Sequence, residues 1–287
     1  MRVFECVPNV VEGREPEVID ACARAIEGAG VALAHRTSDS AHDRSVFTFF
    51  GTREAVLAAV LALAGVTTTA IDLRCKGGAH PRIGALDVVP FVPFGDATLA
   101  DAAALARETA VALWRTYGVP AVLYGDAATR PERRLLAEVR AGEFEALIAR
   151  GHRFGPPDAG DVAAHPSAGA TAVGARAPLV AFNVVLASDD LAAAREIASS
   201  VRERGGGLRT LRALGIAQDD GRVQVSCNVT DVAATPLHRV TGTIAALAAA
   251  RGIAIARTEV IGLVGRGALA PVVAHAFGIE GLVSNAQ

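Results

Sequence analysis

Aromatic residues are scarce. One tryptophan, Trp114, and two tyrosines leave aromatics at 5% of the 287 residues, so any core must be mostly aliphatic. Charge of one sign is also missing. The formal net charge is -2, which excludes the strong fields that mark nucleic-acid or anionic-membrane binding. The longest apolar run, Ala55 to Val66, falls well short of the roughly 20 residues that span a bilayer. No signal peptide is visible, because Met1-Arg2 leads straight into a strand-like run ending at Pro8. The four cysteines, Cys6, Cys22, Cys75 and Cys227, show neither C-x-x-C spacing nor a zinc pattern. They read as small buried hydrophobes in a reducing compartment, and the expected location is cytoplasmic.

What is present is a generous supply of core. Hydrophobic residues make up 51% of the chain and charged ones 20%, enough for one large or two medium domains. Against that background, Gly77-Gly78-Ala79-His80-Pro81-Arg82-Ile83-Gly84-Ala85-Leu86-Asp87 stands out. The glycines favour turns and Pro81 lacks a backbone donor, so no helix runs through it. His80 precedes a proline and is biased to extended backbone. An apolar run, Val88 to Phe94, follows at once. A titratable side chain is thus held on a stiff loop beside a buried element, a common setting for catalytic groups. A histidine that only hydrogen-bonds its own loop is the plainer reading, and the neighbouring Arg82 and Asp87 bring the two near balance.

Strands are expected at Arg2–Val7, Val31–Ala34, Ser45–Phe50, Val88–Phe94 and Val119–Tyr124. Asn9–Arg14 and Thr37–Asp43 read as polar loops, the second holding Asp39. Helices are expected from Pro16, from Thr52 through about Leu73, and from Thr98 to about Tyr117, where Asp101 completes a capping-box pattern. Pro131 to Arg150, with Arg133 and Arg140 among acidic residues, reads as solvated helical surface. Gly151 to Gly174 is the least regular stretch; its glycines and prolines read as a domain boundary and a candidate ligand loop. Beyond Pro178 the order is β-α-β-β-α-β, the ferredoxin-like motif, with Val223, Val225, Cys227 and Val229 alternating on one strand face. The first half has a similar order with insertions. His42 and His165 show no metal-ligand spacing with His80, and no metal is expected. Gly205-Gly206-Gly207 follows a helix, so it is a helix stop rather than a phosphate cradle.

Read together, several stretches resemble the glutamate formimidoyltransferase (formiminotransferase) family. They are Glu5-Cys6-Val7-Pro8-Asn9 with Glu12-Gly13, Arg44-Ser45-Val46-Phe47-Thr48-Phe49, His80 to Asp87, Tyr124-Gly125, Arg140 to Glu145, Gly169-Ala170-Thr171 and Ala181-Phe182-Asn183. The resemblance covers nearly the whole chain and leaves no room for the cyclodeaminase domain of bifunctional members. It implies an α/β (α+β) fold of two ferredoxin-like subdomains, 1–176 and 177–287, with a ligand groove between them. It implies transfer of a formimino group from N-formimino-L-glutamate to tetrahydrofolate, in histidine degradation and one-carbon metabolism, by a homodimer. It makes His80 the catalytic acid/base and places Gly160 to Gly169, including His165, Pro166, Ser167 and Ala168, at the folate site. Three positions depart from the family's usual text: Ala79 stands where glutamate is usual, Asp43 where asparagine is, and Ala168 where animal members carry tryptophan.

The chemistry fits the residue types. Amidine transfer needs a group that takes a proton from the attacking nitrogen and gives one to the leaving amine, and histidine titrates in the right range. Both substrates carry carboxylates, which arginine binds through two parallel bonds. Arg44 and Arg82 are the first candidates, weighed against a solvated strand end and a loop salt bridge to Asp87. Asp39 could orient His80 or bond the pterin, against a plain turn-forming role. A non-catalytic folate-binding homologue and a formimino-glutamate hydrolase stay open as alternatives.

Overall fold

The computed structural model describes residues 1–40, 42–77, 81–161, 163–218 and 220–277. The chain forms two compact units, Met1–Ala177 and the residues from Pro178 on.

In the first unit, β1 (Arg2–Cys6) is interrupted at Val7-Pro8 and resumes as β2 (Asn9–Val10). Together they act as one central strand. It pairs antiparallel with β4 (Arg44–Gly51) on one side and β5 (Leu86–Gly95) on the other. β3 (Ala32–Asp39) lies outside β4. With α1 (Pro16–Gly28) and α2 (Arg53–Ala70), this makes a βαββαβ unit whose first and third strands are central. The sheet then grows. α3 (Leu99–Tyr117) leads to β6 (Ala121–Gly125), and β7 (Thr171–Ala175) inserts between β5 and β6, parallel to both.

Local chemistry sets the helix ends. Thr52 Oγ1 caps α2, Thr98 and Asp101 form the anticipated capping box of α3, and Gly118 closes α3 in the left-handed region at φ 65°. α2 is apolar enough, at 18 residues and mean hydropathy 1.4, to compare with a membrane span by composition. One of its faces, Val56, Val60 and Leu63, is fully buried in the core with Phe47, Phe49, Phe91 and Leu105.

In the second unit β8 (Val180–Leu186), α6 (Leu191–Val201), β9 (Leu211–Ala217), β10 (Val223–Val229), α7 (Leu237–Ala249) and β11 (Ile255–Ile261) give a four-stranded antiparallel sheet in the order β11-β8-β10-β9, followed by α8 (Arg266–Phe277). This is the ferredoxin-like arrangement that its sequence order anticipates. Val223, Val225, Cys227 and Val229 are all in its core, as their alternation requires.

The structure corrects four local readings. Thr37 to Asp39 are not loop but the end of β3, an edge strand exposed enough to read as polar. Asn9 and Val10 pair as strand rather than turning. Gly151–Gly174 is no boundary: it lies inside the first unit and ends in β7. That strand is Thr-Ala-Val-Gly-Ala, short and interrupted by a glycine that makes room for Tyr124. The Tyr124 ring lies 2.4 Å from where a Cβ on Gly174 would sit. Finally, Pro131 to Arg150 is not simply solvated helix. It breaks into a 3-10 turn, α4 (Leu136–Val139) and α5 (Glu143–Arg150), and both Arg133 and Arg140 are buried.

Candidate active site

Strand alternation divides the first sheet. Phe4, Cys6, Val10, Phe47, Phe49 and Leu123 face the helices and join the main core. Glu5, Asn9, Arg44 and Tyr124 therefore fall on the opposite face. There the Arg44 guanidinium meets Asn9: Nε donates to Oδ1 at 2.8 Å, and Nη2 donates to the same oxygen. Arg44 Nη1 also reaches Asp87 Oδ2 at 3.5 Å. Arg140 Nη2 donates to that same Asp87 oxygen at 2.6 Å, and the Ile83 backbone N–H donates to Asp87 Oδ1 at 2.9 Å.

Asp87 is completely buried, and two guanidinium groups share its single negative charge. Arg44, Arg140 and Asp87 alone sum to a formal charge of +1, and the carboxyl of Glu5 lies on the same face. Burial, then the neighbouring Arg140, push Arg44 down to about 9, so it stays protonated at neutral pH. Burial pushes the Tyr124 phenol up to about 12, which keeps it a neutral donor. Burial also raises Glu5 above the ordinary carboxylate range, against the opposing pull of Arg176. A desolvated cationic pair with a phenol nearby is chemistry suited to a carboxylate or another delocalised anion.

A second cluster ties together Lys76 and Arg82, on either side of residues 78–80. Lys76, the chain's only lysine, donates from Nζ to Glu12 Oε2 at 2.5 Å and lies 3.4 Å from Asp43 Oδ1. Glu12 is buried and its Oε1 accepts the N–H groups of Arg14 and Glu15 at 2.9 Å each. Burial works to raise its pKa, but Lys76 and those two N–H groups hold it below the usual value. At the other end, Arg82 donates to Glu143 Oε2 (2.9 Å), to Glu145 Oε1 (2.8 Å) and to the carbonyl of Lys76 (2.7 Å). The loop's two flanks are therefore tied to each other and to α5. His80 itself lies outside the described residues. Arg82 does not form the loop salt bridge to Asp87 that was weighed for it, because Arg140 holds that carboxylate. Two residues that grip these clusters, Asp43 and Glu143, have positive φ values of 46° and 59°. Backbone strain of that kind gathers where surrounding contacts over-determine a site.

The other sequence candidates lie as follows. Asp39 accepts the backbone N–H of His42 at 2.9 Å and sits 2.7 Å from His42 Nδ1. Gly160 (φ 109°) backs onto Trp114 and Pro120, 2.9 and 3.0 Å from the place of a Cβ, so packing demands its missing side chain. His165 and Gly169 exchange backbone hydrogen bonds of 2.9 Å around Pro166, Ser167 and Ala168. His165 Nδ1 accepts from the Ala168 N–H at 3.0 Å, which puts the ring proton on Nε2 in the neutral form; burial lowers its pKa. Ser167 and Ala168 carbonyls accept from Leu73 and Ala85, and Ala168 belongs to the core. The segment thus runs alongside Ile83 to Ala85, just before the start of β5. Among the described residues no group of three His, Cys, Asp or Glu is placed to hold a metal.

Sequence reasoning passed over Asn9, Glu12, Lys76, Asp87, Tyr124 and Arg140 as site residues. All but Lys76 lie inside the stretches quoted for the family resemblance, so the signal was available. Arg140 was masked by the charged residues around it.

A family model described as the N-terminal subdomain of the formiminotransferase domain matches residues 3–176, and one described as the formiminotransferase domain matches residues 181–280. The chain is 40% identical over 284 residues to the glutamate formimidoyltransferase of Streptococcus pyogenes serotype M1, covering 97% of this chain and 94% of that one. It is 33% identical to the enzyme of that name from Thermoplasma acidophilum, covering 98% and 94%. It is 37% identical to the formimidoyltransferase-cyclodeaminase of Gallus gallus, covering 93% of this chain but 51% of that longer protein. With both halves matched by the family's own models, and a relative of similar length alike from end to end, the chain belongs to the formiminotransferase family of transferases.

Proposed function

We propose that this chain is a glutamate formimidoyltransferase that passes the formimino group of N-formimino-L-glutamate to N5 of tetrahydrofolate. The observation that carries the reading is the 40% identity to a relative of that name over nearly the full length of both chains. The cationic face described above supports it from the chemistry side. Arg44 and Arg140 bring two guanidinium groups to one face of the sheet, the kind of donor a substrate carboxylate pairs with. Tyr124 offers a neutral donor beside them.

In this reading N5 of the folate attacks the formimino carbon and a new N–C bond forms. The N5 proton passes to His80. The bond from that carbon to the glutamate nitrogen breaks, and His80 returns the proton to the departing amine. Positioned acid/base catalysis of this kind contributes roughly 10²–10⁴-fold. Holding two substrates together supplies much of the remainder. Lys76 and Arg82 act as the clasp that fixes the histidine's loop, and the His165–Gly169 turn lines the folate. Tetrahydrofolate serves as co-substrate, without a metal. The same reading carries a homodimer, a cytoplasmic location and a place in histidine degradation.

The test is an assay of glutamate release from formimino-glutamate with and without tetrahydrofolate. Release that requires folate and yields formimino-tetrahydrofolate supports the transferase. Release without folate would make the chain a hydrolase. Folate binding with no release would leave a binding protein.

A further inference from the structure

A separate cavity of about 480 Å³ opens beside α5. Its floor is apolar: Ile83, Val122, Val139 and Leu147. Neither Arg44, Asp87 nor Arg140 lines it, so it is not the cationic cluster on the sheet face. The volume falls in the range of small-molecule pockets, roughly 300–1,000 Å³.

The polar groups at its rim leave one charge over. Arg133 is saturated by Asp158 and by the carbonyls of Phe154, Gly155 and Pro156. Arg153 pairs with Glu138 at 3.0 Å and stacks on Phe154, and Glu143 is held by Arg82. Arg150 alone of the lining cations has no hydrogen-bond or ion-pair partner among the described residues. Its Nη2 lies 3.8 Å from where a Cβ on Gly142 would sit, so the head folds back along α5 beside the cavity. His152 also lines the cavity. Its Nε2 is shut off from solvent and has no hydrogen-bond partner. Burial, then the nearby Arg133, push this imidazole down to about 4, so at neutral pH it is an uncharged ring with one polar atom unsatisfied.

We propose that this cavity is a binding site, distinct from the transferase site, for a small apolar monocarboxylate. The apolar body would rest on Ile83, Val122, Val139 and Leu147. The carboxylate would pair with Arg150. A monoanion matches the one lining guanidinium that has no ion-pair partner among the described residues.

Calorimetric titration of the full chain with 2-naphthoate, and with its uncharged isostere 2-naphthamide, tests this. The acid should bind with a Kd below about 1 mM, as expected for about a dozen ligand atoms in a good pocket. The amide should bind at least tenfold more weakly. Arg150→Gln, at an exposed position where folding is not at stake, should erase that preference, and Ala146→Phe should block both ligands by filling the space. Saturating tetrahydrofolate should leave naphthoate binding unchanged. No binding of the acid, equal binding of acid and amide, or an Arg150→Gln variant that binds as the wild type does would each overturn the assignment. Competition by tetrahydrofolate would also overturn it, by making the cavity part of the transferase site.

Discussion

Asp87→Asn is the most informative single change. The substitution keeps the shape of the side chain and one acceptor oxygen, so the Ile83 N–H can still be satisfied. What it removes is the charge that two buried guanidinium groups share at 2.6 and 3.5 Å. Arg44 and Arg140 would then face each other without a counter-ion. Two like charges a few ångströms apart interact by about 4 kcal/mol at an effective dielectric near 20. Breaking a buried pair by removing one partner costs about 3–5 kcal/mol. Because asparagine still offers a dipole, the lower end applies, and a loss of about 3 kcal/mol is expected. For a unit of this size that is a fall in Tm of about 6–12 °C. Trp114 is the only tryptophan and packs against the core of the first unit, so its fluorescence in a urea titration reports that unit. The double variant Asp87→Asn/Arg140→Met removes one of the repelling charges and should recover at least about 1 kcal/mol. If Asp87→Asn shifts stability by less than about 1 kcal/mol, the carboxylate is not what holds the two arginines together. The cationic-pair argument for the site then fails with it.

Other outcomes follow from the same structure. Gly169→Ala would place a Cβ 2.0 Å from the Ile83 carbonyl at a φ of 71°, so a loss of more than about 2 kcal/mol is expected in the same urea titration. His152 is held below the unfolded value of about 6.5, so the unfolded chain binds the proton more readily; stability is intact above pH 6.5 and falls as the pH drops toward 4. Urea midpoints at pH 7 and pH 5 should differ, and His152→Gln should reduce that difference. In the transferase assay His80→Asn should lose about two orders of magnitude in rate while the Kd for tetrahydrofolate stays close to wild type; a near-wild-type rate would reduce His80 to a structural loop residue. Asp190→Ala removes the acceptor for the Ala193 N–H at the start of α6 and should cost about 1 kcal/mol in calorimetry.

The second unit was the more legible half of the fold. β10 alternates, Asp190 caps α6, and the glycine and proline punctuation falls between elements, so pattern and structure coincide from β8 to α8. The first unit hid β7, because a five-residue strand with an internal glycine, following a long Gly/Pro-rich stretch, looks like linker. It also hid the polar edge strand β3, whose pattern of exposure belongs equally to a loop. In both cases the missing information was the neighbour: Tyr124 for Gly174, and β4 for β3.

The same limit governs the site. The residue types were on view: Arg44, Arg82 and Asp87 all stand in conspicuous text. Their pairing was not. Sequence proximity suggests that Arg82 should hold Asp87, five positions away. Instead Arg140, 53 positions on, takes that carboxylate, while Glu143 and Glu145 take Arg82. The exchange follows from topology. Asn9 lies opposite Val46 and Val88 in the sheet, which brings Arg44 and Asp87 to one face, and the short α4 and α5 lay Arg140 and the two glutamates against it. Strand register sets Arg44 before Asp87, while Arg82 and Arg140 lie outside the strands and are placed by the loop and the short helices; register is a property of the paired strands rather than of either stretch alone. The consequence for function is specific. In the proposed reading, an arginine already held by two glutamates acts as a clasp, and the pair gathered around one aspartate faces the substrate.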